Sequence, residues 1–262
     1  MTSQAQQSDG SRVVFKSKPL TGIMADRYFD LATPDHFWCK RRFEVLKALA
    51  DDRLRAASRV CEIGCGNGVL QLQVENAYSL APDGFDLHEG ALRRNMSRRG
   101  GVYCYDIHDR AEEFRKTFDL ILMFDVLEHI EDQDRFLESA RFHLAERGSL
   151  IINVPALQWL FSPYDEVQGH QRRYSVAELT TVARRNGFRV PRITYWGGPL
   201  VPILALRKAT LAMARTRIDN YSAGFDSRGE FLNSALYAWS RIEPIPQRLA
   251  GTSVMAVLEP ES

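Results

Sequence analysis

His170 lies in SPYDEVQGHQRRYS (162–175), with Tyr164 and Asp165 before it and Arg172, Arg173 and Tyr174 behind it. An imidazole backed by a carboxylate moves protons: the acid orients the ring, and the ring accepts a proton from a hydroxyl or an ammonium. This segment is too polar and aromatic for a buried connector, and loops at a scaffold's functional edge commonly carry chemistry. The expectation is that His170 accepts a substrate proton, Asp165 orients it, and Tyr164, Arg173 and Tyr174 face the substrate. The plainer alternative is an ion pair of Arg172 or Arg173 with Asp165 or Glu166 that only fixes the loop. A second imidazole, His129, directly follows Glu128 in VLEHI. Adjacent residues on one element diverge, and no further His or carboxylate is spaced to complete a facial set, so no metal site is expected.

A glycine-rich stretch supplies the other chemistry. EIGCGNG places Gly64, Gly66 and Gly68 at alternate positions, immediately after an apolar run. Such a turn brings bare backbone close to a ligand, and Val69 leaves the dinucleotide pattern G-x-G-x-x-G unmet. Asp86, in GFDLHEG, has the two acceptor oxygens that ribose hydroxyls need. Asp106, in YCYDIH, is placed to meet an exocyclic amine.

These residues need a scaffold that aligns strand ends. RVCEI, APDGFDL, GVYCYD, FDLILMF and SLIINVP read as strands. NGVLQLQVEN, EGALRRNMSRR and EDQDRFLESARFHLAERG read as the helices between them, the last stopped by Gly148. This alternation predicts a doubly wound, mostly parallel α/β sheet with helices on both faces. Thr33 and Pro34 open an amphipathic helix carrying Trp38, Val45, Leu46 and Leu49, and Ser175 with Glu178 has capping-box spacing for another. FRVPRITYW and a final antiparallel TSVMAVLE complete the sheet, with helical candidates at 199–216 and 229–242 between them. The expected organisation is a disordered leader (1–20), an N-terminal helical cap (21–57), a cofactor-binding core (58–195), a helical insertion or substrate cap (196–250), and the last strand with the C-terminus (251–262).

The chain has 262 residues, with 34 Lys and Arg against 33 Asp and Glu, so composition makes no electrostatic case for nucleic acid. Cys39, Cys61, Cys65 and Cys104 form no CxxC pair and no hydrophobic signal segment precedes them, which points to reduced thiols and a cytoplasmic address.

VCEIGCGNG, GFDLHEGAL, YDI, FDLILMFDVLEHIED and LAERGSLIINVPA together resemble class I S-adenosylmethionine-dependent methyltransferases over about 58–195. The similarity is greatest to the bacterial small-molecule branch that includes ubiquinone-biosynthesis enzymes. The resemblance implies a Rossmann-like fold and S-adenosyl-L-methionine as cofactor. It places Glu62, Gly64, Cys65 and Gly66 beneath the methionyl portion and ribose, Asp86 with Leu87 at the ribose, and Asp106 with Ile107 at the adenine. Phe124 stands at the end of the fourth strand, and His129, a second candidate general base, forms a wall beside the cofactor. It also folds the N-terminal helix over the cleft, so that Trp38 and Arg41 or Arg42 reach the methionyl carboxylate or the substrate.

The expected activity is methyl transfer to an oxygen, or less readily a nitrogen, of a small or lipid-like metabolite. Trp196 joins Tyr164 as aromatic wall for a flat or apolar acceptor. The segment 199–217, apolar with interspersed basic residues, is expected either to pack on the sheet, to cover the substrate, or to lie on a membrane surface. Competing functions are a non-catalytic binding protein on the same fold and a nucleotide-dependent oxidoreductase. Acceptor identity and oligomeric state are not legible.

Overall fold

The computed structural model describes residues 12–20, 29, 32–214 and 229–261, with the backbone alone over 211–214. Eight strands form one sheet. In chain order they are β1 (Val13–Phe15), β2 (Val60–Ile63), β3 (Asp83–Asp86), β4 (Val102–Cys104), β5 (Phe118–Phe124), β6 (Leu144–Pro155), β7 (Phe188–Trp196) and β8 (Ser253–Pro260). Their spatial order is β1-β4-β3-β2-β5-β6-β8-β7. Only β8 runs antiparallel, and it lies between β6 and β7 rather than at an edge. The helices are α1 (Phe37–Ala56), α2 (Val69–Tyr78), α3 (Glu89–Leu92), α4 (Gln133–His143), α5 (Pro163–Val167), α6 (Val176–Arg185), α7 (Val201–Ala214) and α8 (Glu230–Ser240).

Strand β5 shows why both faces are covered. Leu120, Leu122 and Phe124 pack with Leu46, Leu49 and Leu54 of α1 and Leu70 and Val74 of α2. Ile121 and Met123, pointing the other way, pack with Phe136, Leu137 and Ala140 of α4 and Leu179 and Ala183 of α6. A near-continuous apolar run is what a strand buried on both faces requires.

Four expectations need correction. The leader, read as disordered to residue 20, contributes β1, which pairs in parallel with β4 while Arg12 bonds the Gly100 carbonyl at 2.6 Å; residues 1–11 lie outside the described residues. The helix expected to open at Thr33 and Pro34 begins after His36, whose Nδ1 accepts from the Trp38 amide at 3.3 Å, because Thr33 to His36 form a turn. The helix expected over EGALRRNMSRR stops at Leu92. Beyond it, side chains take the backbone amides: Asn95 accepts from Ser97, and Glu75 from Arg98, Arg99 and Gly100. The helix expected to end at Gly148 ends at His143, and LAERG becomes the start of β6. Pairing of Leu144 with Phe118 draws the chain into the sheet, and a Cβ on Gly148 would stand 3.0 Å from the Phe118 carbonyl oxygen.

Between β7 and β8, α7 and α8 lie beyond one end of the sheet; α8 is joined to α1 through Asn233, which accepts from the Phe37 amide at 2.8 Å. Among the described residues, no helix is long and apolar enough to cross a membrane.

Candidate active site

The carboxyl ends of β2 to β6 open into a cavity of about 510 Å³. This is where open α/β sheets receive ligands. The turn after β2 builds its floor. The Gly64 and Cys65 amides both donate to the Phe85 carbonyl, at 2.8 and 3.1 Å, and fasten the turn to β3. The Gly66 amide donates to Asp86 Oδ2 at 2.8 Å, and the His88 amide to Asp86 Oδ1 at 2.8 Å. The Leu87 amide also acts on this carboxylate, so three backbone donors leave about one of its roughly four acceptor sites for a further donor. Burial raises the Asp86 pKa, against the pull of the His88, Gly66 and Leu87 amides.

The glycines have a different reason from the one expected. Gly64, Gly66 and Gly68 have φ of +77°, +50° and +75°, and added Cβ atoms would stand 2.3 Å from Val126, 2.8 Å from Phe29 and 2.4 Å from Asn95. They make room for the protein's own side chains in a left-handed turn. Gly64 and Gly66 also line the cavity, so the same turn leaves bare backbone facing a ligand.

All ten residues expected at the cofactor line this one cavity: Trp38, Glu62, Gly64, Cys65, Gly66, Asp86, Leu87, Asp106, Ile107 and Phe124. Glu62 is 4% exposed, and its Oε2 has no hydrogen-bond partner. Burial pushes its pKa up to about 8, while Arg42 pulls the other way. Asp106 Oδ1 is committed to the His108 amide at 2.9 Å. Burial raises the Cys65 thiol well above its ordinary value, consistent with a small packed residue. The remaining acceptor capacity of Asp86 and a buried orphan at Glu62 suit a ligand with sugar hydroxyls at one end and a cationic group at the other.

Opposite this floor, α5 and the turn after it carry Asp165 and His170. Asp165 Oδ1 lies 3.1 Å from His170 Nδ1. Arg173 holds the same oxygen from Nε at 2.8 Å and Nη2 at 2.7 Å, and Ser162 donates to Oδ2 from its amide and hydroxyl. The His170 and Arg173 contacts outweigh burial and hold Asp165 at about 2. An ionised carboxylate only accepts, so His170 carries its proton on Nδ1 and turns the Nε2 lone pair away from Asp165. Both alternatives read from the sequence are present at once: Arg173 fixes the loop, and the same carboxylate orients His170. His170 and Arg173 line the cavity; Asp165 stands behind them.

Gln171 staples this loop to the turn after β5, its amide donating to the Glu128 carbonyl at 2.9 Å and its side chain to the His129 carbonyl at 3.1 Å. Consequently the expectation that Glu128 and His129 diverge fails. Their ligand atoms and those of His170 all lie within 4.8 Å of one another. The residue that completes the set comes from a distant loop, which sequence spacing does not reveal. The imidazoles of His129 and His170 meet edge to face with centroids 4.8 Å apart. Burial, then His170, lower the His129 pKa to about 4. Glu128 is fully buried, neither oxygen has a hydrogen-bond partner, and burial raises its pKa well above the usual range.

Two expected substrate residues lie elsewhere. Tyr174 is core: its hydroxyl donates to the Leu127 carbonyl at 3.1 Å and accepts from Gln133 at 2.6 Å. Trp196 is fully buried, stacks on Trp38 at 4.4 Å and donates to Asn153 Oδ1 at 2.8 Å. That bond continues through Asn153 to Asp125 (2.7 Å) and on to Arg42 (2.5 Å), both of which line the cavity. Tyr164 does line the cavity, with the Arg207 guanidinium 4.2 Å from its ring centre. Glu128, Gln168 and Arg207 are cavity residues that the sequence reading did not select. Their one signal was polarity beside apolar runs.

Comparison with known proteins follows this geometry. Residues 35–192 match the family described as "Methyltransferase domain". A "Probable S-adenosylmethionine-dependent methyltransferase" from Mycolicibacterium smegmatis is 29% identical over 181 residues, an alignment covering 66% of each chain and so just under two thirds of that relative's length. Among solved structures, a Thermotoga maritima SAM-dependent methyltransferase described as a possible histamine N-methyltransferase has a TM-score of 0.56 at 18% identity, covering 89% of this chain and 93% of that one. Phosphoethanolamine N-methyltransferase 2 of Haemonchus contortus, solved with S-adenosyl-L-methionine, has a TM-score of 0.55 at 17% identity, covering 92% of this chain and 61% of that one. These structural likenesses carry the fold. The chain belongs to the methyltransferase-domain family.

Proposed function

We propose that the enzyme methylates an oxygen of a small or lipid-like acceptor, with His170 taking the acceptor's proton and Asp165 holding His170. S-adenosyl-L-methionine supplies an electrophilic methyl group on a sulfonium. Asp86 binds the ribose hydroxyls, Leu87 and Ile107 flank the adenine near Asp106, and Glu62 faces the methionyl ammonium across the turn of Gly64, Cys65 and Gly66. Phe124 and Trp38 exclude water, and His129, kept neutral, walls the reacting centre. Displacement at the methyl carbon needs the acceptor in line with the carbon–sulfur bond, so positioning carries much of the rate. A hydroxyl is a poor nucleophile until its proton leaves, which gives His170 its task.

The observation that carries this reading is the Asp165–His170 pair, 3.1 Å apart, with His170 on the same cavity as the glycine turn. The test is transfer of labelled methyl from S-adenosyl-L-methionine across an acceptor set of alcohols, phenols and amines. An oxygen-methylated product lost in His170→Ala supports it. A nitrogen-methylated product, or a His170→Ala enzyme turning over at the parental rate at every pH, refutes it.

We also propose that the acceptor is met at a membrane surface. Ile203 and Leu206 on α7, with Phe231, Leu232 and Trp239 on α8, are exposed apolar side chains, and Lys208 and Arg241 lie among them in the chain. This combination favours an anionic bilayer. Residues 215–217 of the segment read from sequence lie outside the described residues. Co-sedimentation with phosphatidylglycerol vesicles that weakens with salt is the expected result; no binding at low salt overturns it.

A further inference from the structure

Buried polar atoms that lack hydrogen-bond partners lie on both sides of the cavity. On the side built by the strand ends they include Glu62 Oε2, both Glu128 oxygens and Thr252 Oγ1. On the side built by α5 and α7 they are donors: Gln168 Nε2 and Arg207 Nε, both buried atoms without a hydrogen-bond partner. The carboxylates suit the cationic methyl donor. The donor's one anionic group, its methionyl carboxylate, sits at the same end as its ammonium, which the floor meets at Glu62 beside Arg42, so Gln168 and Arg207 are left for the acceptor.

Arg207 is the sharper case. Its guanidinium lies over the Tyr164 ring at 4.2 Å, and among the described residues no carboxylate forms a salt bridge with it. Asp165, the nearby acid, is already saturated by Arg173 and His170. Around Arg207 the cavity wall is apolar, formed by Leu200, Ile203, Leu204, Leu232 and Leu236. A half-buried cation without a counter-charge costs solvation that a bound anion recovers, and a guanidinium presents paired donors to carboxylate or phosphate. Burial also lowers the Arg207 pKa, the direction a missing anion would produce.

We infer that the acceptor is an amphiphile with an anionic group, carboxylate or phosphate, held by Arg207 and Gln168, and an apolar body lying along α7 and α8. This rests on the proposed acceptor side of the cavity and narrows its substrate class. The arrangement gives the two substrates opposite charges at opposite ends, so an acceptor of the wrong charge is rejected at the mouth.

The experiment uses the full chain saturated with S-adenosylhomocysteine, and decyl phosphate, decanoate and decanol as probes of equal chain length. Binding is measured calorimetrically to the parent, Arg207→Gln and Arg207→Lys. At least one anion is expected to bind more than about tenfold tighter than decanol, with Arg207→Gln abolishing the difference and Arg207→Lys restoring part of it. A preference for decyl phosphate assigns phosphate, and one for decanoate assigns carboxylate. Equal affinity for all three probes, or an anion preference that survives in Arg207→Gln, overturns the inference. Affinity for S-adenosylhomocysteine, measured in each variant, certifies folding and tests the cofactor side separately, so failure of one reading is not mistaken for failure of the other.

Discussion

The floor of the cavity and its outer wall are built by different physics. The floor is made of strand ends and one turn, tied by backbone bonds from Gly64 and Cys65 to Phe85 and by the Gly66 amide to Asp86. The outer wall is made of α7 and α8, which leave Leu206 67% and Phe231 89% exposed. A floor fixed by backbone geometry suits a ligand that never changes, whereas a wall of apolar side chains is free to define the acceptor. The contrast separates cofactor affinity from acceptor turnover, and the following changes should break one without the other.

The largest effect is expected from His170→Ala, which removes the proton acceptor and leaves the floor intact. Turnover should fall by about 10²–10⁴-fold while affinity for S-adenosyl-L-methionine stays at the parental value, read by single-turnover kinetics and calorimetry. Equal losses in both would merge the two regions.

Zinc offers a reversible version of the same cut. Glu128, His129 and His170 can together engage a divalent cation, and doing so takes the Nε2 lone pair that the mechanism needs. Micromolar zinc should inhibit turnover, chelator should restore it, and cofactor affinity should hold. Activation by zinc would make the cluster a catalytic metal site and displace His170 from its proposed role.

Gly64→Ala attacks the floor. The new methyl meets Val126 at 2.3 Å in a backbone with φ of +77°. A loss of about 2–4 kcal/mol in denaturant unfolding is expected. A variant as stable as the parent would show that the turn does not demand glycine.

A further effect on the floor is pH-dependent. The Glu62 carboxyl, ordinarily near 4.5, is raised to about 8 by burial. Its neutral form therefore favours the folded state fully below 4.5, and that contribution is lost as pH rises through 8. Relative to Glu62→Gln, the unliganded parent should lose Tm progressively across that window, with no difference at pH 4. A pH-independent difference would contradict the raised carboxyl.

The floor was far more legible in the sequence than the wall. Glycines at alternate positions, an acid at the end of β3, and apolar runs such as Leu120–Phe124 each reflect local rules of turn, strand and burial, so they could be read one element at a time. What escaped depended on contacts between distant segments. Asn95 and Glu75 cut short a helix that propensity would continue, and strand pairing took LAERG from a helix into β6. Tyr174 and Trp196 looked like substrate residues because aromatic side chains with polar tips serve cores and sites equally well; only their partners, Leu127, Gln133 and Asn153, decide between the two. Glu128 and Arg207 were hidden for the same reason, since an unpartnered polar atom is a property of the packed molecule.

The central claim is that one cavity holds the methyl donor by its ribose at Asp86. Calorimetric titration of S-adenosyl-L-methionine into the parent and Asp86→Ala tests it directly. A single saturable site weakened by about 10–100-fold in Asp86→Ala is predicted, as expected for a lost hydrogen bond to a carboxylate. Equal affinity in the two proteins, or no binding to the folded parent, would contradict it.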